Sequence, residues 1–240
     1  MPRFFVDQAL AQPGEITLPP GAARHVQVLR LQPGDALTLF DGSGPEWRAE
    51  VTAMGRSEVR VNLLEAFEPG RELARAVTLA VVMPANDRMD FLVEKATELG
   101  AAEIQPLMGE RSVLRLSGER ADKKCAHWQG VAIAAAEQSG RAVPARIAPV
   151  QTLAAWLAAL PAPAEDEWRG VLSPRAAQPL PGATARRVTL LSGPEGGLSD
   201  AEVAAAEGRG FAPVSLGPRI LRADTAPLAV LSWLALSELG

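Results

Sequence analysis

The chain has 240 residues, 24 Lys and Arg against 28 Asp and Glu for a net charge of −4, and 48% apolar residues. That length buries a core, and the balance excludes extended disorder and a general affinity for polyanions. No apolar run nears the roughly 20 residues that span a bilayer, and "MPRFFVDQAL" lacks an apolar signal core, so a cytoplasmic protein off the membrane is expected.

Residues 1–72 read as short β-strands: "RFFV", "EITL", "HVQVLRL", "ALTLF", "EWRAEVTAM" and "EVRVNLLEAF". Turn residues such as Pro13-Gly14, Pro19-Pro20-Gly21, Pro33-Gly34 and Asp41-Gly42 separate them, and several alternate apolar with polar side chains. Six short strands in so few residues predict a small β-barrel. The seam near Pro69-Gly70 closes this domain, leaving residues 73–240 to a second one.

The grammar then changes to strands alternating with helices. "VTLAVVM" is a continuous apolar run, as in a strand buried on both faces. "DRMDFLVEKATELG" carries Met89, Leu92, Val93, Ala96 and Leu99 at helical spacing and ends at Gly100. "AEIQPL" predicts a strand and 118–139 a long helix stopped by Gly140; "WRGVLS", "RVTLLS" and "APVSLG" predict further strands. The pattern requires a mostly parallel sheet covered by helices, an α/β domain. Cys125 has no disulfide or metal partner, and a pairing with His127 fails because two positions apart on a helix side chains diverge. The other histidine, His25, is distant in sequence, and no metal site is expected.

Two strands of the second half end in unusual loops. The first is Gly193-Pro194-Glu195-Gly196-Gly197, followed by Ser199 and Glu202 at capping-box spacing. The second is Leu216-Gly217-Pro218-Arg219-Ile220-Leu221-Arg222, after which Asp224 or Thr225 caps an apolar final helix. In an open parallel sheet ligands sit beyond the carboxyl ends of the strands, where both loops fall. No Gly-Lys-Ser/Thr or G-x-G-x-x-G is present, and Glu195 would repel a pyrophosphate. S-adenosylmethionine, with a sulfonium and no phosphate, suits the site.

"GPEGG" (193–197), "SLGPRILRADTA" (215–226), "KATELG" (95–100), "AAAEQSGR" (134–141) and "RHVQVLRLQPGD" (24–35) together resemble the RsmE family of ribosomal RNA methyltransferases, in order and nearly end to end. These bacterial enzymes of the SPOUT superfamily methylate N3 of one uridine in 16S rRNA. The resemblance implies an N-terminal PUA-like β-barrel that grips RNA and a SPOUT-type parallel-sheet methyltransferase domain threaded into a trefoil knot. It further implies a homodimer that completes the active site. Carried over by position, the cofactor contacts are Leu172, Ser192, Gly193, Pro194, Glu195, Gly196, Gly197, Leu216, Gly217, Ile220 and Leu221. Where the family pattern has Glu-Thr-Ala, this chain has Asp224-Thr225-Ala226; aspartate keeps the charge and can cap a helix.

Uracil N3 carries a proton near neutral pH, so methylation needs a base or cations that stabilise the developing anion. Arg219 and Arg222 are the cationic candidates, and Glu195 is a candidate for base or loop-orienting residue. Binding of 16S rRNA in the small subunit is expected from Arg24, His25 and Arg30 in the first domain, and from Arg111, Arg115, Lys123, Lys124 and Arg141 in the second. The first domain has ten acidic against seven basic residues, so its grip is confined to patches. An aromatic content of 5% argues against an extended base-stacking platform. Two alternatives remain: a SPOUT ribose 2′-O-methyltransferase acting on rRNA or tRNA, and a non-catalytic RNA-binding assembly factor.

Overall fold

The structure, a computed structural model, describes residues 1–56, 58–85, 88–174, 176 and 185–238. The chain divides into two compact units, one of Met1–Glu72 with Ala136–Pro144, the other of Leu73–Ala135 with Ala145–Gly240.

In the first unit, β1 (Arg3–Phe5), β2 (Gly14–Thr17), α1 (Pro20–Val28), β3 (Ala36–Phe40), β4 (Glu46–Met54) and β5 (Val59–Phe67) follow in order. The strands form one sheet, β1-β3-β4-β5-β2, antiparallel except for the β1–β3 pair. Alternation sets the register: Trp47, Ala49 and Val51 point into the core while Arg48, Glu50 and Thr52 face outward.

The strand predicted over "HVQVLRL" is absent: His25 to Val28 are the second half of α1 and residues 29–31 its closing turn. Pro20 opens the helix, where its fixed φ is already helical and its missing N–H costs nothing. Ala22, Ala23 and Val26 then pack on the sheet core. In a strand Val26 and Val28 would share a face; in the helix Val26 is buried and Val28 exposed. Arg30 follows at φ +57, with Leu31 N–H on the Val26 carbonyl and Arg30 N–H on that of Gln27, a Schellman end at a non-glycine residue.

The second unit comprises β6 (Ala76–Val82), α2 (Arg88–Glu98), β7 (Glu103–Met108), α3 (Gly118–Ser139), β8 (Arg146–Ile147), β9 (Gln151–Thr152), α4 (Leu153–Ala159), β10 (Glu167–Leu172), β11 (Arg187–Ser192), α5 (Asp200–Glu207), β12 (Ala212–Val214) and α6 (Thr225–Leu236), with the last turn of α3 belonging to the first unit. Its sheet runs β12-β10-β11-β6-β7-β8, with β9 also on β7, and every pairing is parallel. Successive residues of β6 feed opposite faces. Val77, Leu79 and Val81 join a core with α2, α3 and α6, whereas Ala80 and Val82 join one with α4 and α5. That three-layer arrangement explains why "VTLAVVM" is apolar without a break. The short strands β8 and β9 and helix α4 had no distinct sequence signal; α4 starts with the Thr152 hydroxyl accepting from Ala155 N–H at 3.2 Å.

Residues 136–144, assigned by sequence to the second domain, are held in the first unit by two charged clusters. The Arg3 guanidinium pairs with buried Glu46 and donates to the carbonyls of Ala136 and Glu137, both at 2.9 Å, and of Arg141 at 3.0 Å. Two of these are carbonyls of the last turn of α3, so the cation meets the negative end of the helix dipole. Glu72 receives Arg141 Nε at 2.9 Å and Nη2 at 2.6 Å, and the amides of Ala142 and Val143.

Candidate active site

The sheet order reverses between β6 and β11: the chain proceeds outward through β7 and β8, then returns to the other side for β10, β11 and β12. At such a point the loops leaving neighbouring strands part and leave a crevice. A cavity of about 810 Å³ opens there, within the span typical of cofactor sites. Its wall is built from the segments following β10, β11 and β12, and all eleven residues named above as cofactor contacts line it.

The loop after β11 is a tight turn in which Gly197 N–H donates to the Pro194 carbonyl at 2.8 Å. A side chain at Gly193 would meet Leu198 N at 2.9 Å and the Gly197 carbonyl carbon at 3.1 Å, both backbone, so the turn closes only on glycine. Helix α5 begins immediately after it. Ser199 Oγ accepts Glu202 N–H at 3.3 Å and the Glu202 carboxylate accepts Ser199 N–H at 2.8 Å, the capping box read from the sequence. The loop after β12 starts with an ST-turn, Gly217 N–H on Ser215 Oγ at 3.3 Å. It ends at α6, where the Asp224 side chain accepts Thr225 N–H at 3.1 Å; the shorter acid caps the helix.

Glu195 does not stand free in the cavity. Its two oxygens lie 3.2 and 3.3 Å from Ala85 N, and Oε1 is 3.6 Å from Arg88 Nη1. Arg88, at the start of α2, was not singled out in the sequence; it lines the cavity with Arg111, Arg219 and Arg222. Arg219 and Arg222 are exposed and make no side-chain ion pair or hydrogen bond among the described residues. Four guanidiniums against Glu195 and Asp200 give the cavity wall a positive balance, suited to a ligand carboxylate, a developing anion or a nearby phosphate.

The residues expected to hold RNA divide differently. Arg24 and His25 are exposed on α1, with Arg30 just beyond it, and His25 Nδ1 is 3.7 Å from Glu137. Lys123 and Lys124 are exposed on α3, Lys123 3.5 Å from Glu119, and Arg115 is an exposed loop residue bonded to the Glu110 carbonyl. Arg141 does not fit a surface footprint, and Arg111 is exposed but engaged at the glycine loop. Arg141 is only 5% exposed and its charge is engaged by Glu72, so it is a buried structural cation. Arg111 turns toward the glycine loop, with Nη1 2.8 Å from the Gly196 carbonyl and 3.4 Å from that of Leu198. Charge alone gave no sign of either role, since both partners are distant in sequence.

Cys125 donates to the Ala148 carbonyl at 3.7 Å, and burial raises its thiol pKa, against the reactivity of a thiolate. His127 lies 2.7 Å from Asp90 instead. Among the described residues there is no group of three His, Cys, Asp or Glu placed to hold a metal, and no helix long and apolar enough to cross a membrane.

Known proteins share this architecture. A family model described as an RNA methyltransferase domain matches residues 71–235, and one described as an RNA methyltransferase PUA domain matches residues 18–64. The ribosomal RNA small subunit methyltransferase E of Synechocystis is 36% identical over 224 residues, 90% of this chain and 71% of its own. The protein of the same name from Bacillus subtilis is 31% identical over 245 residues, 97% of this chain and 95% of its own. A crystal structure of a ribosomal RNA small subunit methyltransferase E from Neisseria gonorrhoeae, bound to S-adenosyl methionine, superposes with a TM-score of 0.90 at 33% identity, covering 98% of this chain and 97% of that one.

Proposed function

The chain belongs to the ribosomal RNA small subunit methyltransferase E family, with a SPOUT methyltransferase domain and a PUA-like domain, and from that premise we propose that it methylates N3 of one uridine in 16S rRNA, using S-adenosylmethionine. The observation that carries the proposal is the cavity at the sheet reversal. Its walls are glycine-rich backbone, apolar Leu172, Leu216 and Leu221, and the arginines Arg88, Arg111, Arg219 and Arg222, with no phosphate-binding Lys among the described lining residues.

When bound, S-adenosylmethionine supplies an electrophilic methyl group on a sulfonium. Ser192 to Gly197, Leu172, Leu216, Gly217, Ile220 and Leu221 would hold it, largely through backbone groups that the two turns keep in place. Alignment of this kind lowers a barrier by as much as about 7–11 kcal/mol. Arg219 and Arg222 face the cavity with no side-chain partner among the described residues, so their guanidinium forks stabilise the negative charge that uracil develops as N3 releases its proton to solvent water. N3 then takes the methyl group and leaves the cofactor as the neutral thioether. Glu195 orients the loop through Ala85 and Arg88 rather than serving as the base.

Arg24, His25 and Arg30 on one unit, and Arg115, Lys123 and Lys124 on the other, form the proposed RNA footprint. The reading extends, on the family resemblance, to a C-terminal trefoil knot, a homodimer that completes the site, and a cytoplasmic location. The test is incubation with methyl-labelled S-adenosylmethionine and small subunits lacking the modification. Label in the RNA supports methyl transfer; RNA binding without label favours the assembly-factor alternative.

A further inference from the structure

Three features of the segment after β7 converge on the glycine loop, and nothing in the proposed mechanism uses them. At Gly109 a side chain would come within 2.8 Å of Glu202 Oε1, so the bare backbone leaves room for that carboxylate. Glu202 therefore does more than cap α5: Oε2 takes Ser199 N–H and Oε1 takes Glu110 N–H at 2.7 Å. Next in sequence, Arg111 donates Nη1 to the Gly196 carbonyl at 2.8 Å and reaches the Leu198 carbonyl at 3.4 Å. Its Cβ and Cδ stand 3.5 Å from where a side chain on Gly196 would begin, so the aliphatic stem packs on the loop while the head holds it.

We propose that Arg111 is a positioning residue for S-adenosylmethionine, fixing the 193–198 loop in its binding conformation from the end of β7. The inference rests on the reading of the cavity as the S-adenosylmethionine site. A loop with glycines at 193, 196 and 197 has many conformations open to it, and each one frozen on binding weakens affinity. A charged donor on two of its carbonyls removes that freedom beforehand. The guanidinium is suited to the task, because a planar fork loses less freedom per hydrogen bond than an ammonium does. Arg111 lines the cavity at the edge where it grips the loop, so its effect on the cofactor passes through the 196–198 backbone.

The test is titration calorimetry of S-adenosylmethionine on the full chain, wild type, Arg111→Met and Arg111→Lys, with steady-state kinetics on small subunits. Arg111→Met is expected to weaken cofactor binding about tenfold or more, the scale of one charge-assisted hydrogen bond. Arg111→Lys, keeping one donor, falls between, and carries the comparison alone should the Met variant not fold. At saturating cofactor kcat stays within about threefold of wild type and RNA affinity is unchanged. Cofactor affinity within about twofold of wild type overturns the proposal, whether the loss then appears in RNA affinity, in kcat or only in the urea midpoint. Failure of the wild type itself to bind S-adenosylmethionine overturns the reading of the cavity, and the inference with it.

Discussion

The Glu195 carboxylate lies 3.6 Å from the Arg88 guanidinium and accepts from the Ala85 amide at 3.2 and 3.3 Å. This joins the end of β11 to the segment after β6, across the pair of strands where the sheet order reverses. A carboxylate so engaged is an anchor for its loop. Removing a general base costs roughly 10²–10⁴ in rate and erases the acidic limb of the pH–rate profile. Glu195→Gln is expected to lower kcat/KM by about tenfold at most and to leave the shape of the profile intact. Steady-state rates between pH 6 and 9 check both.

Arg219 and Arg222 are expected to act in the transition state rather than in cofactor binding. Replacing either with alanine should lower kcat by about 10²-fold, the scale of one lost oxyanion donor, with S-adenosylmethionine affinity within about twofold of wild type. Calorimetry alongside single-turnover rates separates the two effects; a loss of cofactor affinity alone would make them binding residues.

Arg141 and the surface cations should part company. Arg141→Ala leaves Glu72 beside two amides without its cation and is expected to cost about 3 kcal/mol of stability, the low end for breaking a buried pair. Its effect on RNA affinity per folded molecule is nil. Arg24→Ala and Lys123→Ala are expected to do the reverse, weakening RNA binding and lowering the slope of log K against log salt by about 1 each. Urea melts and filter binding at several salt concentrations read these out, and an unchanged slope for both surface variants contradicts the footprint.

A pH effect is built into α2. Burial pulls the Asp90 carboxyl pKa upward, but hydrogen bonds from His127 at 2.7 Å and Trp128 at 2.9 Å, with charge from His127 and Lys124, hold it below the ordinary value. A depressed carboxylate pKa contributes stability that is present above the unfolded value and lost as pH falls through the folded one. Wild type should therefore lose stability relative to Asp90→Asn as pH drops below about 4. Urea midpoints at pH 7, 4 and 3 measure it, and parallel curves would remove the assignment.

What the sequence made legible was local. The glycine turn, the Ser199–Glu202 capping box and the stops at Gly100 and Gly140 are set within a few residues, and each appears in the structure. The β6 strand was plain because burial on both faces leaves no polar position to confuse it. Helix α1 was misread because Val26 and Val28 mimic alternation, and what decides is the helix-starting Pro20 with the packing of Ala22 and Ala23. The contacts of Arg111 and Arg141 are not legible in the sequence, since their partners, Gly196 and Glu72, lie 85 and 69 residues away. Arg88 was missed for the same reason: its part in the site comes from the neighbouring of β6 and β11.

The central claim is that the cavity serves methyl transfer to a uracil nitrogen. It is tested most directly by digesting the labelled small-subunit RNA to nucleosides and identifying the one that carries the methyl group. The account predicts N3-methyluridine, at a single position and absent when Gly193, whose turn admits no side chain, is replaced. A 2′-O-methyl nucleoside, or a methyl group on any other base, would contradict it.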